Sequence, residues 1–217
     1  MDILYEHPDW WAINKPSGVP VQDKPDQPGI LHALGHLGPL YMVHRLDQGT
    51  SGVLLLARSS SAADVFRQRF VKGEMQKHYW AVSARKPKKS QGWVVGDHVK
   101  ARNGSWKLTA QKTNPARTQF ISAGLGNGQR ALCIHPLTGR THQIRVAMKA
   151  LGAPLLGDIR YGGAPAERLY LHARRMAFVW DGETIHLVAP LTEDTWSMLP
   201  QWPKEWLPED ANPFALV

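Results

Sequence analysis

Apolar positions along the chain fall into short runs separated by proline- and glycine-rich turns, with two stretches of helical period. Leu4, Trp11 and Ile13 predict extended structure over residues 3–14, punctuated by His7-Pro8-Asp9. Lys15-Pro16-Ser17-Gly18 then predicts a tight turn, because proline presets one dihedral angle and glycine tolerates the positive one that follows. Residues 30–37 read as a short helix. Val53-Leu54-Leu55-Leu56-Ala57 is an unbroken apolar run between Gly52 and Arg58, as expected of a strand covered on both faces. From Ser61 onward, Ala62, Val65, Phe66 and Phe70 recur at helical spacing opposite Arg67, Gln68, Arg69 and Lys72, and Gly73 supplies the stop. Tyr79 to Ser83 predicts a strand with Tyr79, Ala81 and Ser83 on one side and Trp80 and Val82 on the other. Further strands are expected at 41–43, 93–99, 117–122, 130–134, 176–180 and 184–189. A second clear helix is expected from Thr141, with Ile144, Ala147, Met148 and Leu151 on one face and Gly152 at its end.

Strands outnumber helices and do not alternate with them, which predicts an α+β fold: a mixed, mainly antiparallel sheet flanked by helices and loops. Beyond Leu191 the pattern changes to Trp196, Trp202 and Trp206 among Pro200, Pro203, Pro208 and Pro213. The expected organisation is therefore one domain over 1–191 and a tryptophan- and proline-containing extension over 192–217. With 43% hydrophobic and 20% charged residues in 217, a disordered or fibrous protein is excluded. The net charge of +8 has a location. Arg85, Lys86, Lys88, Lys89, Lys100, Arg102, Lys107, Lys112 and Arg117 face a single acid, Asp97, so this one segment accounts for the whole excess. Such a surface favours a polyanionic partner. The single cysteine, Cys133, excludes an intramolecular disulfide and a cysteine-built zinc site. Met1 to Glu6 lacks the charged leader and apolar run of a signal peptide, and the longest aliphatic run has five residues, far below the roughly 20 of a membrane span. A cytoplasmic protein is expected, with a monomer as the default state.

Three segments place polar residues where neither a core nor a solvated face requires them. His44-Arg45-Leu46-Asp47-Gln48-Gly49-Thr50-Ser51-Gly52 carries an Arg-x-Asp into a glycine-containing loop ahead of the apolar run. Asp47 alone would suit a turn former bonded to a nearby amide, and Arg45 alone a surface cation. Gly139-Arg140-Thr141-His142-Gln143-Ile144-Arg145 sets two arginines at a predicted helix start, against the helix macrodipole. Lys77-His78-Tyr79-Trp80 puts a tyrosine beside basic residues, where core packing and base stacking are both open.

His44-Arg45-Leu46-Asp47-x-x-Thr50-Ser51-Gly52 followed by Val53 to Ala57 resembles the signature of the RluA-type RNA pseudouridine synthases. Gly139 to Val146 resembles a second motif of that family. Asn14-Lys15-Pro16-Ser17-Gly18, Gly157-Asp158 with Tyr161-Gly162, and Leu171-His172-Ala173 match further features in the same order, so the resemblance covers about residues 3–190. It implies the pseudouridine synthase fold and the isomerisation of specific uridines in ribosomal or transfer RNA, in a loop or stem-loop. It further implies that Asp47 is the catalytic aspartate, that Arg145 pairs with its carboxylate, that Tyr79 stacks on the target base, and that Arg45 enters the RNA stack as the nucleotide leaves. Leu171 and Ile144 would line the base pocket, with Arg140, His142, Lys86, Lys88 and Lys89 on the RNA. Ala147 and Ala153 depart from the residues common in the family, which bears on substrate choice.

Moving a sugar from a ring nitrogen to a ring carbon oxidises and consumes nothing, so no cofactor is expected. Gly124-x-Gly126-x-Gly128 has the wrong spacing for a dinucleotide fingerprint, and His32 and His36 lack a third metal ligand nearby. Two rival readings remain open at this point: a catalytically silent RNA-binding module, and a nucleoside or glycoside hydrolase, which would generally need two carboxylates about 5 to 9.5 Å apart.

Overall fold

The computed structural model describes residues 2–191, 196, 202–206 and 214. In chain order the strands are β1 (Asp2–His7), β2 (Trp10–Lys15), β3 (Tyr41–Met42), β4 (Ser51–Ala57), β5 (Gln76–Ser83), β6 (Gln91–Gly96), β7 (His98–Lys100), β8 (Trp106–Leu108), β9 (Ala116–Gly126), β10 (Gln129–Pro136), β11 (Leu171–Trp180) and β12 (Glu183–Val188). The α-helices are α1 (Ile30–Leu34), α2 (Ser60–Lys72) and α3 (Gln143–Ala150). The fold is α+β, and the chain forms two compact units, Met1–Lys77 with His172–Pro190 and His78–Leu171 with Leu191–Val217.

In the first unit the strands lie in the order β1-β2-β4-β11, with β3 also on β4 and β12 also on β11. All these pairs are antiparallel except β4 and β11, which run parallel with Ser51 opposite His172 and Gly52 opposite Ala173. Every residue of β4 is buried, as its unbroken apolar run requires. α2 begins at Ser59, whose side chain accepts a hydrogen bond from the Ala62 amide, and ends at Gly73 in the left-handed conformation, φ 74°. The helix buries Ala62, Ala63 and Phe66, whereas Val65 is 41% exposed because it lies a third of a turn off that stripe. Phe66 stacks on Trp180 at 4.8 Å and meets Trp10 and Phe178 edge-on, giving the unit an aromatic core.

The second unit has the antiparallel order β5-β10-β9-β6 and a separate hairpin of β7 and β8. The single strand expected over 93–99 is two strands, because at Asp97 the chain leaves β9 and pairs with the 109–111 segment: its N–H donates to Gln111 O and its carbonyl accepts from Thr109 N–H. α3 starts at Gln143 rather than Thr141, since His142 takes a left-handed φ of 54°. Trp196, Trp202 and Trp206 are buried with Trp80, Val82, Ala131 and Cys133, and Trp202 stacks on Trp80 at 4.7 Å. The rest of the extension expected over 192–217 lies outside the described residues, apart from Pro203, Lys204, Glu205 and Phe214.

Gly52 is the tightest joint of the first unit. It has φ 107°, and a Cβ there would stand 2.3 Å from Ala173 O and 2.7 Å from Ala173 N. Strain and overpacking act together, so Gly52→Ala is expected to cost at least ~2 kcal/mol of stability in urea unfolding. An unchanged midpoint and slope would mean that the parallel β4/β11 pair does not constrain this residue.

Candidate active site

Asp47 and Arg45 belong to the first unit, on the loop between β3 and β4; Asp47 is half-buried and Arg45 exposed. The loop is held from below by the turn that follows β2. Lys15 is fully buried, and its ammonium donates to the carbonyls of Pro16 (2.7 Å), Val19 (2.8 Å) and Gln48 (3.1 Å). Ser17 Oγ donates to Gly49 O at 2.7 Å, and the Gly18 amide donates to Gln48 O at 2.9 Å. Thr50 N–H closes the turn onto Asp47 O. At the exit, Ser51 Oγ lies 2.8 Å from His172 Nδ1, and His172 Nε2 lies 3.2 Å from Ala189 O. A carbonyl can only accept, so Nε2 carries the imidazole proton and Nδ1 accepts from the serine hydroxyl.

His44 anchors the other end. Its Nε2 accepts the Leu55 amide at 2.9 Å, and its ring packs on Phe70 at 4.9 Å. Burial, with a smaller contribution from the Lys77 ammonium, pushes its pKa down to about 3. Burial also brings Lys77 down to about 8, with its nitrogen 5.7 Å from the Phe70 ring centroid.

Tyr79, Arg140, His142, Ile144, Arg145, Leu171, Lys86, Lys88 and Lys89 belong to the second unit. Tyr79 lies on β5 opposite Ile134, and Tyr79, Ile144 and Leu171 are all buried. Arg145 projects from the first turn of α3. Its Nε and Nη2 donate to Asp158 Oδ2 and Oδ1, both at 2.8 Å, a bidentate pair whose side chains are 11% and 1% exposed. The guanidinium lies over the Tyr161 ring at 4.9 Å. Tyr161 Oη in turn accepts the Trp106 amide and bonds His142 Nδ1 at 2.8 Å, which uses His142 as a brace for this aromatic ring. Gln143 fixes the start of the helix. Its Nε2 donates to Arg117 O and Thr118 Oγ1, and its Oε1 accepts from Thr138 Oγ1 and Arg140 N–H. Arg140 itself is exposed and donates to Asn114 Oδ1. Lys86, Lys88 and Lys89 are exposed.

The sequence marked Asp47, Arg145 and Tyr79 but not the work of their supports. Lys15, Ser17, His172 and Asp158 appeared in it only as matching motif letters, and Gln143 only as one letter between two arginines. The signal that betrays Lys15, Gln143, Asp158 and His172 is burial of a polar side chain, which sequence alone does not display. Among the described residues no group of three or more His, Cys, Asp or Glu side chains is placed to hold a metal ion, and no helix is long and apolar enough to cross a membrane. His32 instead meets Asp23 at 3.2 Å and His36 the Ala33 carbonyl.

The chain is similar to known proteins in sequence and fold. Residues 9–150 match the family described as RNA pseudouridylate synthase. An "uncharacterized RNA pseudouridine synthase" of Haemophilus influenzae is 41% identical over 183 residues, 82% of each chain. A ribosomal large subunit pseudouridine synthase C of Buchnera aphidicola is 33% identical over 215 residues, 88% of this chain and 67% of that one. The solved structure of human RNA pseudouridylate synthase domain containing 4 superimposes with a TM-score of 0.76 at 27% identity, covering 92% of both chains.

Two outcomes follow from the charges. Asp158→Ala removes both bonds of a bidentate pair whose side chains are 11% and 1% exposed, so it is expected to lose about 3–5 kcal/mol in denaturant unfolding; a loss below about 1 kcal/mol would show that other groups or water replace the carboxylate. His44 has a depressed pKa in the native state, so its contribution is present above the unfolded value of 6.5 and is lost as pH falls toward 3. Lowering the pH from 7 to 5 is expected to cost the wild type roughly 1–2 kcal/mol more than His44→Gln, read from paired urea titrations. Equal losses in the two proteins would mean that His44 charges freely in the native state.

Proposed function

The chain belongs to the RNA pseudouridylate synthases, the RluA-type isomerases that its motifs resemble, and we propose that it converts specific uridines of ribosomal or transfer RNA to pseudouridine on a flipped-out nucleotide. Asp47 is the catalytic carboxylate in this reading. The observation that carries it is the rigid setting of Asp47: the motif aspartate heads a turn tied down by Lys15, Ser17 and the Ser51/His172 pair, as a group that must meet one carbon atom requires.

The bond from the sugar anomeric carbon to ring nitrogen N1 breaks, the uracil turns, and the same carbon bonds to C5, which gives up its proton while N1 gains one. Attack on the anomeric carbon and removal of a sugar proton are the two routes by which one ionised carboxylate starts this sequence. Arg145 holds the Asp47 oxygens. A guanidinium has five N–H groups, so the bidentate bond to Asp158 orients Arg145 without using all of its donors. Tyr79 stacks on the uracil, Leu171 and Ile144 line the base pocket, and exclusion of water there prevents capture of the sugar, which would leave an abasic site. Flipping costs about a few kcal/mol, least in a loop, and Arg45 entering the vacated stack offsets part of it. Exposed Lys86, Lys88, Lys89 and Arg140, with His142, favour the phosphate backbone. The chemistry asks for no cofactor, and a basic protein of this kind meets its RNA in the cytoplasm.

Purified protein incubated with total RNA should yield pseudouridine in the nucleoside digest. Free uracil would identify a hydrolase, and bound RNA without product a binding module. Asp47→Asn keeps the side-chain shape and removes the charge, so turnover should fall by at least ~100-fold while RNA affinity and unfolding midpoint stay near wild type. Activity close to wild type removes Asp47 from the mechanism.

A further inference from the structure

Trp93 and Arg117 take no part in the chemistry above, yet they form a built surface. In the second unit β6 is the edge strand, and its Trp93 lies opposite Gln119 while Val95 lies opposite Arg117. Val94 between them is buried, but Trp93 remains 43% exposed, unlike Trp80 and Trp202 of the same unit, which are buried. The Arg117 guanidinium sits 5.5 Å from the Trp93 ring centroid, a cation over an open indole. Arg117 is also tied to the segment that leads into α3. Its N–H donates to Thr138 Oγ1, and its carbonyl accepts from the Leu137 amide and from Gln143 Nε2, the first residue of the helix that carries Arg145. Leu137, 38% exposed, and Arg140, also exposed, continue the strip.

The surroundings narrow the occupant. Between Arg85 and Arg117 the only acid is Asp97, and its carboxylate is occupied by the amides of Thr113 and Asn114 in a loop. Arg85, Lys86, Lys88 and Lys89 are exposed on the stretch that feeds β6. A ligand suited to this place carries repeated negative charge and flat apolar faces together. An acidic peptide has the first without the second, and an unpaired nucleic-acid strand has both.

We propose that Trp93 and Arg117 form a stacking subsite for an unpaired nucleotide in the RNA strand that flanks the target uridine. The base lies on the indole and Arg117 meets the adjoining phosphate. Because the Arg117 backbone is bonded to the residues that start α3, this subsite sets the path of the strand relative to Arg145 and contributes to the choice of substrate by the loop beside the target. The inference rests on the RNA-modifying reading above.

The test is a binding measurement, so that it stands apart from turnover. Affinity is measured for a short single-stranded oligouridylate and for an oligonucleotide of equal length and charge made of abasic residues. Wild type should prefer the oligouridylate. Trp93→Ala should weaken oligouridylate binding about 5- to 50-fold, as loss of one stacked base predicts, and leave abasic binding unchanged; Trp93→Phe should restore most of the difference. Arg117→Gln should weaken both ligands and lower the salt dependence of each. The proposal is overturned if Trp93→Ala, with a wild-type unfolding midpoint, keeps the full preference for bases, or if polyglutamate displaces the oligouridylate as well as RNA of equal charge does. Absence of pseudouridine in the turnover assay would sink the synthase reading instead and would leave this comparison of affinities as it is.

Discussion

Arg145 and Asp158 meet out of water through two parallel hydrogen bonds, and much of the second unit is arranged around that meeting. Desolvating two ions is costly, and the attraction between them repays it only when the geometry is nearly ideal. The turn that presents Asp158 is accordingly built without tolerance. A Cβ at Gly157 would lie 1.7 Å from Arg168 O, and one at Gly163 would lie 1.9 Å from Leu155 O, so the backbone passes where no side chain fits. Tyr161 lies under the guanidinium, and its hydroxyl is fixed by the Trp106 amide and His142. An arginine rather than a lysine suits this place, because only a planar fork can be locked in rotation by a carboxylate while its face rests on a ring.

The first unit solves a related problem with a different cation. Loops are usually the mobile parts of a domain, yet the loop that carries Asp47 is tied down along its length. Lys15 supplies three N–H groups to three carbonyls, one of them Gln48 O, which immediately follows Asp47. The buried ammonium thus meets backbone dipoles that belong to the two turns that must stay together. Ser17 on Gly49 and Ser51 on His172 extend the same arrangement along the loop. Polar side chains beneath the Asp47 turn thus hold it, alongside the buried Leu46 and Val43 of the same loop.

What was legible in the sequence was local. Gly73 and the apolar stripe of α2, the buried run of β4 and the break at Pro8 all express short-range rules, and the structure follows them to within a residue or two. Asp47, Tyr79 and Arg145 were singled out through resemblance rather than through pattern. The merged strand over 93–99 failed because the local sequence says nothing about Asp97 bonding to Gln111 and Thr109, where the chain changes partner. The helix start failed because His142 adopts a left-handed conformation that a non-glycine residue rarely takes, sustained by its bond to Tyr161. Ser51 and His172 are 121 residues apart, and Lys15 and Gln48 are 33 apart, so these supports exist only once the fold has closed.

Gln143 shows why a neutral residue stands at the hinge between the basic surface and Arg145. Its amide uses two donors and two acceptor positions at once, toward Arg117 O, Thr118 Oγ1, Thr138 Oγ1 and Arg140 N–H. A glutamate could accept the last two but would face the Arg117 carbonyl with a second acceptor, and a lysine or arginine could donate but not accept. An amide alone satisfies all four partners, and it does so without a charge that would titrate or respond to the arginines on either side. The position of Arg145 on the first turn of α3 is consequently fixed by hydrogen bonds that neither pH nor salt screening alters much. The cations around it remain exposed to solvent, where counterions can be exchanged for phosphates. The setting of Arg145 thus rests on neutral hydrogen bonds, while the charge of the neighbouring surface rests on exposed side chains.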